Sequence, residues 1–329
     1  MSPVPVQVNA SPIPSDWVIT PFGYTLSQCV YDVGNYAHAF GNGTLAMRDG
    51  KKLTPAACPH TQSSGIIAPV TTGWVEDAGW VSSSPIQNFS GYWGVPSPPS
   101  NNNNQVIYLF IGLEPLSGAP IAQPVLQWGF NGKWGGAYWE FESWVYLDNN
   151  NYAIGNRYHV NGLDTIYGLV EGSVVWNNSF CNPWPVQASC ACKSSSCTWW
   201  VYTWDVNQPT DNFSLVSSEY CSCNTPVTMQ WAFSTLEVAN LVFCADYPAS
   251  GITLFQNLFL KDTNGKVLTP AWQPDYYPTT DHCVQNVVIN GPSYATLQYG
   301  FGPQSGTGGG GGGCSRIGRG TITNTPKPC

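Results

Sequence analysis

The sequence predicts an all-β chain, an antiparallel β-sandwich of two sheets (concanavalin- or jelly-roll-like) with Cys-rich loops. Three observations carry that prediction. Gly (34 residues) and Pro (27) punctuate the chain at short intervals. The apolar runs between them are short and rich in Val, Ile, Trp, Tyr and Phe, bounded by turn residues. Patterns of helical period are almost absent, so no long helix is expected. With 43% apolar and 14% aromatic residues in 329, the chain can build a sizeable core.

Taken in order, residues 1–86 are Pro-rich, hold two Cys and give weak strand signals; they are expected to pack on the core. Residues 87–262 carry the dense strand pattern, with strands expected at 106–113, 125–130, 138–147, 199–206, 227–238 and 252–260. Between the first of these and the residues before it, Ser97-Pro98-Pro99-Ser100 and Asn101 to Asn104 read as an exposed loop. Residues 263–329 form a C-terminal extension, Pro-rich at first and then running through the glycines of 308–313, a flexible linker without a core of its own. Cys314 and Cys329 bound the last stretch and could close a small terminal loop.

Side chains alternate faces along a strand, and this divides the strand at 138–147. One face carries Trp139, Phe141, Val145 and Leu147, interrupted by Ser143, and reads as core. The other carries Tyr138, Glu140, Glu142, Trp144 and Tyr146. Acids mixed with aromatics on one side suit a concave, polymer-binding face as well as a plain solvated one.

Twelve Cys, an even number, stand beside five N-x-[ST] acceptors at Asn9, Asn42, Asn88, Asn177 and Asn212. Together they read as a secreted, disulfide-bonded glycoprotein. A bridged cluster is expected to join the cysteines of 181–197 to Cys221 and Cys223. The rival, a zinc site, fits less well, because C-x-C spacings replace the usual C-x₂₋₄-C pairs with His partners. The start, Met1-Ser-Pro-Val-Pro, has neither the basic nor the apolar region of a signal peptide, so a mature or trimmed chain is expected. No apolar run approaches the ~20 residues that span a bilayer.

Charged residues are only 9% of the chain, with 11 Lys+Arg against 19 Asp+Glu, a net charge of −8. That composition offers no basic patch for a phosphate backbone, so nucleic acid is excluded as a partner class. It suits an acidic extracellular medium, where few carboxylate pairs would be lost on protonation. His is scarce (His38, His60, His159, His282), and neither G-x-S-x-G nor H-E-x-x-H occurs. The glycine run is no phosphate loop, since no Lys-Ser/Thr follows it. What remains for chemistry are carboxylates and amides set among aromatic strands, with no metal or cofactor called for.

An ordered set of segments resembles the glutamic peptidases (eqolisins). Phe89-Ser-Gly-Tyr-Trp-Gly-Val-Pro96 is similar to the segment that opens that family's core. Val106-Ile-Tyr-Leu-Phe-Ile-Gly-Leu-Glu114 is similar to its "W-V-G-I-D-G" strand, and Val125-Leu-Gln-Trp-Gly129 to its "L-Q-x-G" strand. The strand at 138–146 resembles "Y-x-A-W-Y-E-W", and Gly162-Leu-Asp-Thr-Ile166 the "G-D-x-I" turn. Ser234-Thr-Leu-Glu237-Val and Ile252-Thr-Leu-Phe255 resemble "W-I-V-E" and the closing "G-x-V-x-F" strand. Order and rough spacing hold over residues 89–262, about half of the chain. Tyr108 stands where the family has Trp, Leu113-Glu114-Pro115 replaces "I-D-G", the second Glu of "W-Y-E-W" has no counterpart, and 181–223 is a Cys-rich insertion.

The resemblance implies a sandwich of two long antiparallel sheets and an acid-acting endopeptidase on polypeptide substrates. By the same resemblance Glu237 would be general acid/base on water and Gln127 the amide that donates to the oxyanion. Tyr108, Trp128, Tyr138, Glu142 and Trp144 would line the substrate site, while Glu114, Glu140 and Glu142 would be carboxylates dispensable for turnover. Two rivals use the same sandwich: a non-catalytic module holding a polysaccharide or protein across Trp128, Trp139 and Trp144, and a structural surface protein.

Overall fold

In the computed structural model, residues 13–40, 42–58, 73–118, 120–147, 151–172, 198–208, 212–222, 225–276 and 283–301 are described. β-branched and aromatic runs give strands here because their side chains fill a pleated, half-buried surface. Two large sheets result.

The front sheet runs, strand by hydrogen-bonded strand, β22 (Gln273–Tyr276), β7 (Gly73–Val81), β19 (Trp231–Ala239), β9 (Val106–Glu114), β10 (Ala122–Trp128), β11 (Trp139–Tyr146), β12 (Tyr152–Ile154) and β3 (Val30–Asp32). A further strand, β13 (Tyr158–Val160), also pairs with β11. The back sheet runs β23 (Val284–Ile289), β24 (Tyr294–Gly300), β20 (Ile252–Asp262), β8 (Ile86–Gly94), β14 (Thr165–Gly172), β15 (Thr198–Asp205), β16 (Phe213–Glu219), β4 (Ala37–Ala39), β5 (Leu45–Ala46) and β6 (Lys52–Leu53). To it β21 (Val267–Leu268) adds by pairing with β20. Two hairpins stand apart: β1 (Trp17–Thr20) with β2 (Gly23–Leu26), and β17 (Cys221–Ser222) with β18 (Thr225–Pro226).

Between the sheets lies one large apolar core that includes Trp93, Leu109, Ile111, Leu126, Trp128, Trp139, Phe141, Val170, Val201 and Phe255. The expected parity of the 139–147 strand holds: Trp139, Phe141, Val145 and Leu147 all belong to this core. A second cluster covers the other face of the front sheet. There Tyr108, Phe110, Val125, Trp144, Ile154 and Phe233 pack against Val18, Ile19 and Val30 of the N-terminal segment.

This double cover explains why β9 is buried at all nine positions. A strand buried on both faces reads as a continuous apolar run, as Val106 to Leu113 does. By contrast β14 and β15 alternate buried residues with half-exposed or exposed ones along their whole length, as a sheet does when only one face is covered.

The N-terminal segment does more than its weak strand signals predict. Its β3 joins the front sheet by parallel pairing with β12, and its β4 joins the back sheet by parallel pairing with β16. Asn35 lies between β3 and β4, buried, and fastens both sheets. Its Nδ2 donates to the Phe213 carbonyl (2.6 Å), and its Oδ1 accepts from the backbone amides of Leu215 (2.9 Å) and Asn156 (3.1 Å). The Cys29–Cys58 disulfide closes the segment on itself, and Cys244–Cys283 ties the 3₁₀ turn Cys244–Asp246 to the residue preceding β23.

Several expectations need adjusting. The strand expected at 125–130 runs Ala122–Trp128 and leaves Phe130 exposed, and the one expected at 227–238 starts at Trp231. Four strands, β21 to β24, lie in the stretch read as extension. The cysteines of 181–197, the glycine run and Cys314 and Cys329 lie outside the described residues. No described helix is long and apolar enough to cross a membrane.

Candidate functional site

Antiparallel register brings the sequence-predicted pair together. On β9, Tyr108 stands directly opposite Glu237 of β19 on one side and Gln127 of β10 on the other. Beyond Gln127 the same row continues to Glu140 of β11 and His159 of β13. Directly opposed residues share a face, so Glu237, Tyr108, Gln127 and Glu140 point the same way from the outer side of the front sheet. One intervening strand separates Glu237 from Gln127, which sets their backbones ~10 Å apart. Long side chains at that spacing can bracket one reacting group.

The amide of Gln127 is held on every side. Its Nε2 donates to the Gly129 carbonyl (3.0 Å) and to Oε1 of Glu140 (3.4 Å), while its Oε1 accepts from Nδ2 of Asn131 (3.2 Å). The turn after β10 makes this possible. Gly135 has φ +88°, and a Cβ there would meet the Gly129 carbonyl and lie 2.6 Å from Gln127 Nε2. Glycine is required there because any side chain would displace the amide.

Burial dominates the electrostatics. Glu237 is 1% exposed, Gln127 1%, Glu140 3% and Glu142 0%. Loss of solvent disfavours the charged carboxylate. Burial therefore pushes Glu140 upward against the pull of Arg157, and pushes Glu142 well upward, reinforced by the neighbouring Glu140. Glu142 accepts a hydrogen bond from Nε1 of Trp144 (3.0 Å). Burial also raises the Tyr108 hydroxyl, and Glu142, Glu237 and Glu140 all act on it in that direction.

The roof over this row is the β1–β2 hairpin. The Ile19 amide donates to the Asn131 carbonyl (2.8 Å), and the Tyr108 hydroxyl donates to the Ile19 carbonyl (2.7 Å). Nζ of Lys133 donates to the carbonyls of Ser27 (3.1 Å) and Val30 (2.7 Å). Phe22 stacks on Tyr152 and meets Trp144 edge-on. The expected open concave face is thus a closed one: the hairpin fills it.

Five of the seven expected site residues share this roofed face: Gln127, Glu237, Tyr108, Glu142 and Trp144. Tyr138 sits at its rim, half-buried and stacked on His159 at 3.9 Å. Trp128 does not belong to it. The residue after Gln127 in a strand must point to the opposite face, and Trp128 packs on Trp139 in the inter-sheet core, ring centroids 5.5 Å apart. The expectation of one aromatic surface made of Trp128, Trp139 and Trp144 fails for the same reason. Glu140, expected to be dispensable, contacts Gln127 directly, whereas Glu114 lies at the far end of β9 opposite Trp231.

Sequence reading missed Asn131, Ile19 and Gly135. Nothing local marks Asn131, because its role depends on how the loop after β10 folds back. Among the described residues no group of three His, Cys, Asp or Glu side chains could hold a metal ion.

No protein-family model matches the chain, and no curated protein sequence matches it. Among solved structures the chain is similar to scytalido-glutamic peptidase with a peptide-based transition-state analogue (TM-score 0.45, 12% identity, covering 70% of this chain and 100% of that one). A second structure of that peptidase, with a transition-state analogue inhibitor, gives TM-score 0.44 at 12% identity over the same shares. SCP-B, a member of the eqolisin family in complex with the tripeptide Ala-Ile-His, gives 0.42 at 12% identity, again over 70% and 100%.

Proposed function

We propose that this chain is a secreted, acid-acting endopeptidase of glutamic type that works on polypeptides. The observation that carries the reading is the register of Glu237 and Gln127 on either side of Tyr108. A carboxylate and an amide on one face, one strand apart, can serve a single peptide carbonyl between them. Glu237 would take a proton from water as it attacks and return it to the leaving amine. Gln127 Nε2 would donate to the oxygen as negative charge develops there.

Glu140 fits that scheme as a partner of the amide. A charged carboxylate beside Gln127 would hold its N–H and repel the developing oxyanion. Burial keeps Glu140 protonated to higher pH than usual, so in acid it is neutral and neither obstacle arises.

Turnover requires the β1–β2 hairpin to leave the face it covers, so the chain as described is a latent form. A second reading, a non-catalytic β-sandwich, draws support from the burial of Glu237, Tyr108, Gln127 and Glu140.

Hydrolysis of an unfolded protein across pH 2–7 tests the choice, run on the full chain and on Ile19→Asp. The substitution replaces an apolar roof side chain with a carboxyl group that is costly to bury whether neutral or charged, and should free the site. Activity in acid that rises in Ile19→Asp and vanishes when Glu237→Gln is added supports the peptidase. Inactivity of a folded Ile19→Asp protein at every pH overturns it.

A further inference from the structure

The outer face of the back sheet differs from that of the front sheet. Antiparallel sheets with one solvated face normally carry polar residues there. Here the half-exposed positions of β8, β14, β15 and β16 include Tyr92, Tyr167, Tyr202, Trp204 and Phe213. Tyr167 stands opposite both Tyr92 and Trp204, and Trp204 opposite Phe213, so these residues form a band running across the strands.

The rings touch in sequence. Centroids lie 4.9 Å apart for Tyr92–Tyr167, 6.3 Å for Tyr167–Tyr202, 5.5 Å for Tyr202–Phe213 and 5.7 Å for Phe213–Tyr36. The guanidinium of Arg48 caps the far end, 4.9 Å from the Tyr36 ring. Glu171, four residues along β14 from Tyr167, marks the other margin. Contiguous exposed apolar surface of this kind marks an interaction site.

Three features select the ligand. The ring centroids follow one another at 4.9–6.3 Å, a succession that a ligand that itself repeats can match. Four of the five rings in the chain are tyrosines, each an apolar plate edged by a hydroxyl. A pyranose has the complementary form, an apolar C–H face bordered by hydroxyls. Charge stands at the margins of the band, and a net charge of −8 disfavours polyanions and anionic membranes.

We infer that the band Tyr92–Tyr167–Tyr202–Phe213–Tyr36 is a binding platform for a neutral polysaccharide. The site lies on the sheet opposite the Glu237–Gln127 row and goes beyond the peptidase reading. It would hold the protein on an extracellular polymer while the front sheet remains available to other substrates.

The test is retention of the full chain on cellulose, chitin and a linear β-1,3-glucan, with immobilised heparin as the anionic comparison. Retention on at least one neutral polymer is expected, falling about tenfold or more in Tyr167→Ala/Tyr202→Ala, since each aromatic contact accounts for roughly a two- to tenfold effect. Tyr92→Ala and Tyr36→Ala, at the two ends, give smaller losses and serve if the double variant does not fold. Protein hydrolysis by these variants is read separately and should not change, so failure of either proposal leaves the other standing. Absence of retention on all three polymers overturns the inference, as does equal retention on heparin. A concentration-dependent dimer dissolved by the same substitutions would assign the face to a second copy. A lower melting temperature without any retention would assign it to packing by the chain itself. Both of these results also overturn the inference.

Discussion

The hydroxyl of Tyr108 donates a 2.7 Å hydrogen bond to the carbonyl of Ile19. The central strand of the front sheet is thereby bonded to the hairpin that closes it. Tyr108→Phe removes this bond and leaves a buried carbonyl without that donor. The expected cost is ~1–3 kcal/mol, read as a lower melting temperature. Amide exchange should rise in residues 17–26 more than in β9 itself. Uniform exchange in both places would show that the bond does not hold the hairpin.

The dyad makes a sharper demand. Glu237→Gln preserves shape but cannot carry a proton, so turnover should disappear with the fold intact. Gln127→Ala should lower the rate by roughly 10²–10³, the usual cost of one oxyanion donor. Glu140→Gln keeps a hydrogen-bonding group beside Gln127 without a charge at any pH, and should extend activity toward neutral pH. Glu114→Gln should leave turnover as it is. Full activity in Glu237→Gln refutes the assignment.

Stability should fall as pH rises. Burial pushes Glu76 up to about 9, against the opposing backbone of Asn286 and Gln298. Asp77 and Glu114 are each raised to about 8, Asp77 also by Asp275 and Glu114 also by Asp77. Ordinary carboxylates titrate near ~4, so the folded chain binds more protons than the unfolded one between those values. Stability is then fully present below pH ~4 and is lost progressively up to pH ~8–9. Denaturant midpoints should be level from pH 3 to about 4 and decline from there to pH 9. A maximum near neutrality would contradict the assignment.

Trp139 and Trp144 are both fully buried, one between the sheets and one under the hairpin. Each change to Ala should cost ~3–5 kcal/mol, so Trp144 is not the exposed groove residue that parity alone suggested. The two should separate kinetically. Trp144→Ala loosens the roof and removes the donor to Glu142, so it should raise peptidase activity, whereas Trp139→Ala should not. Thermal melts with a hydrolysis assay distinguish them.

Asn35→Ala withdraws three hydrogen bonds and leaves the amides of Leu215 and Asn156 and the Phe213 carbonyl to find other partners. A loss of ~2–4 kcal/mol is expected, from a typical penalty of ~1–3 kcal/mol for a buried polar group left unsatisfied. Asn35→Asp, which keeps the acceptor but loses the donor, should cost less in acid than at neutral pH. Denaturant unfolding at pH 4 and pH 7 measures both.

Much of the sandwich was legible in the sequence, and the reason is periodicity. The alternation in 139–147 placed Trp139 and Phe141 inward and Glu140 and Glu142 outward without any knowledge of partners. Register across strands was not legible, because it depends on turns far apart in the chain; only a match to an ordered set of motifs put Gln127 beside Glu237. The same match could not place Trp128, whose parity relative to Gln127 already excluded it from the site. The hairpin escaped notice for a different reason. Val18 and Ile19 look like any short apolar run, and nothing local says that they will bury carboxylates more than 100 residues away.

The way Asn35 reaches both sheets also bears on the order in which the molecule can assemble. Its partners Phe213 and Leu215 lie 178 and 180 residues further along the chain. Closing loops of that length is slow, because chain entropy is lost before any contact compensates for it. On a ribosome β3 can pair with β12 as soon as residues 152–154 are made, but β4 must wait, unattached, until β16 has emerged. During that interval the strands of residues 37–53 have no sheet to join, and such unpaired strands are a template for association with another nascent chain. Folding helpers that bind unpaired strands would therefore act on this protein at its amino-terminal end, until β16 has been made.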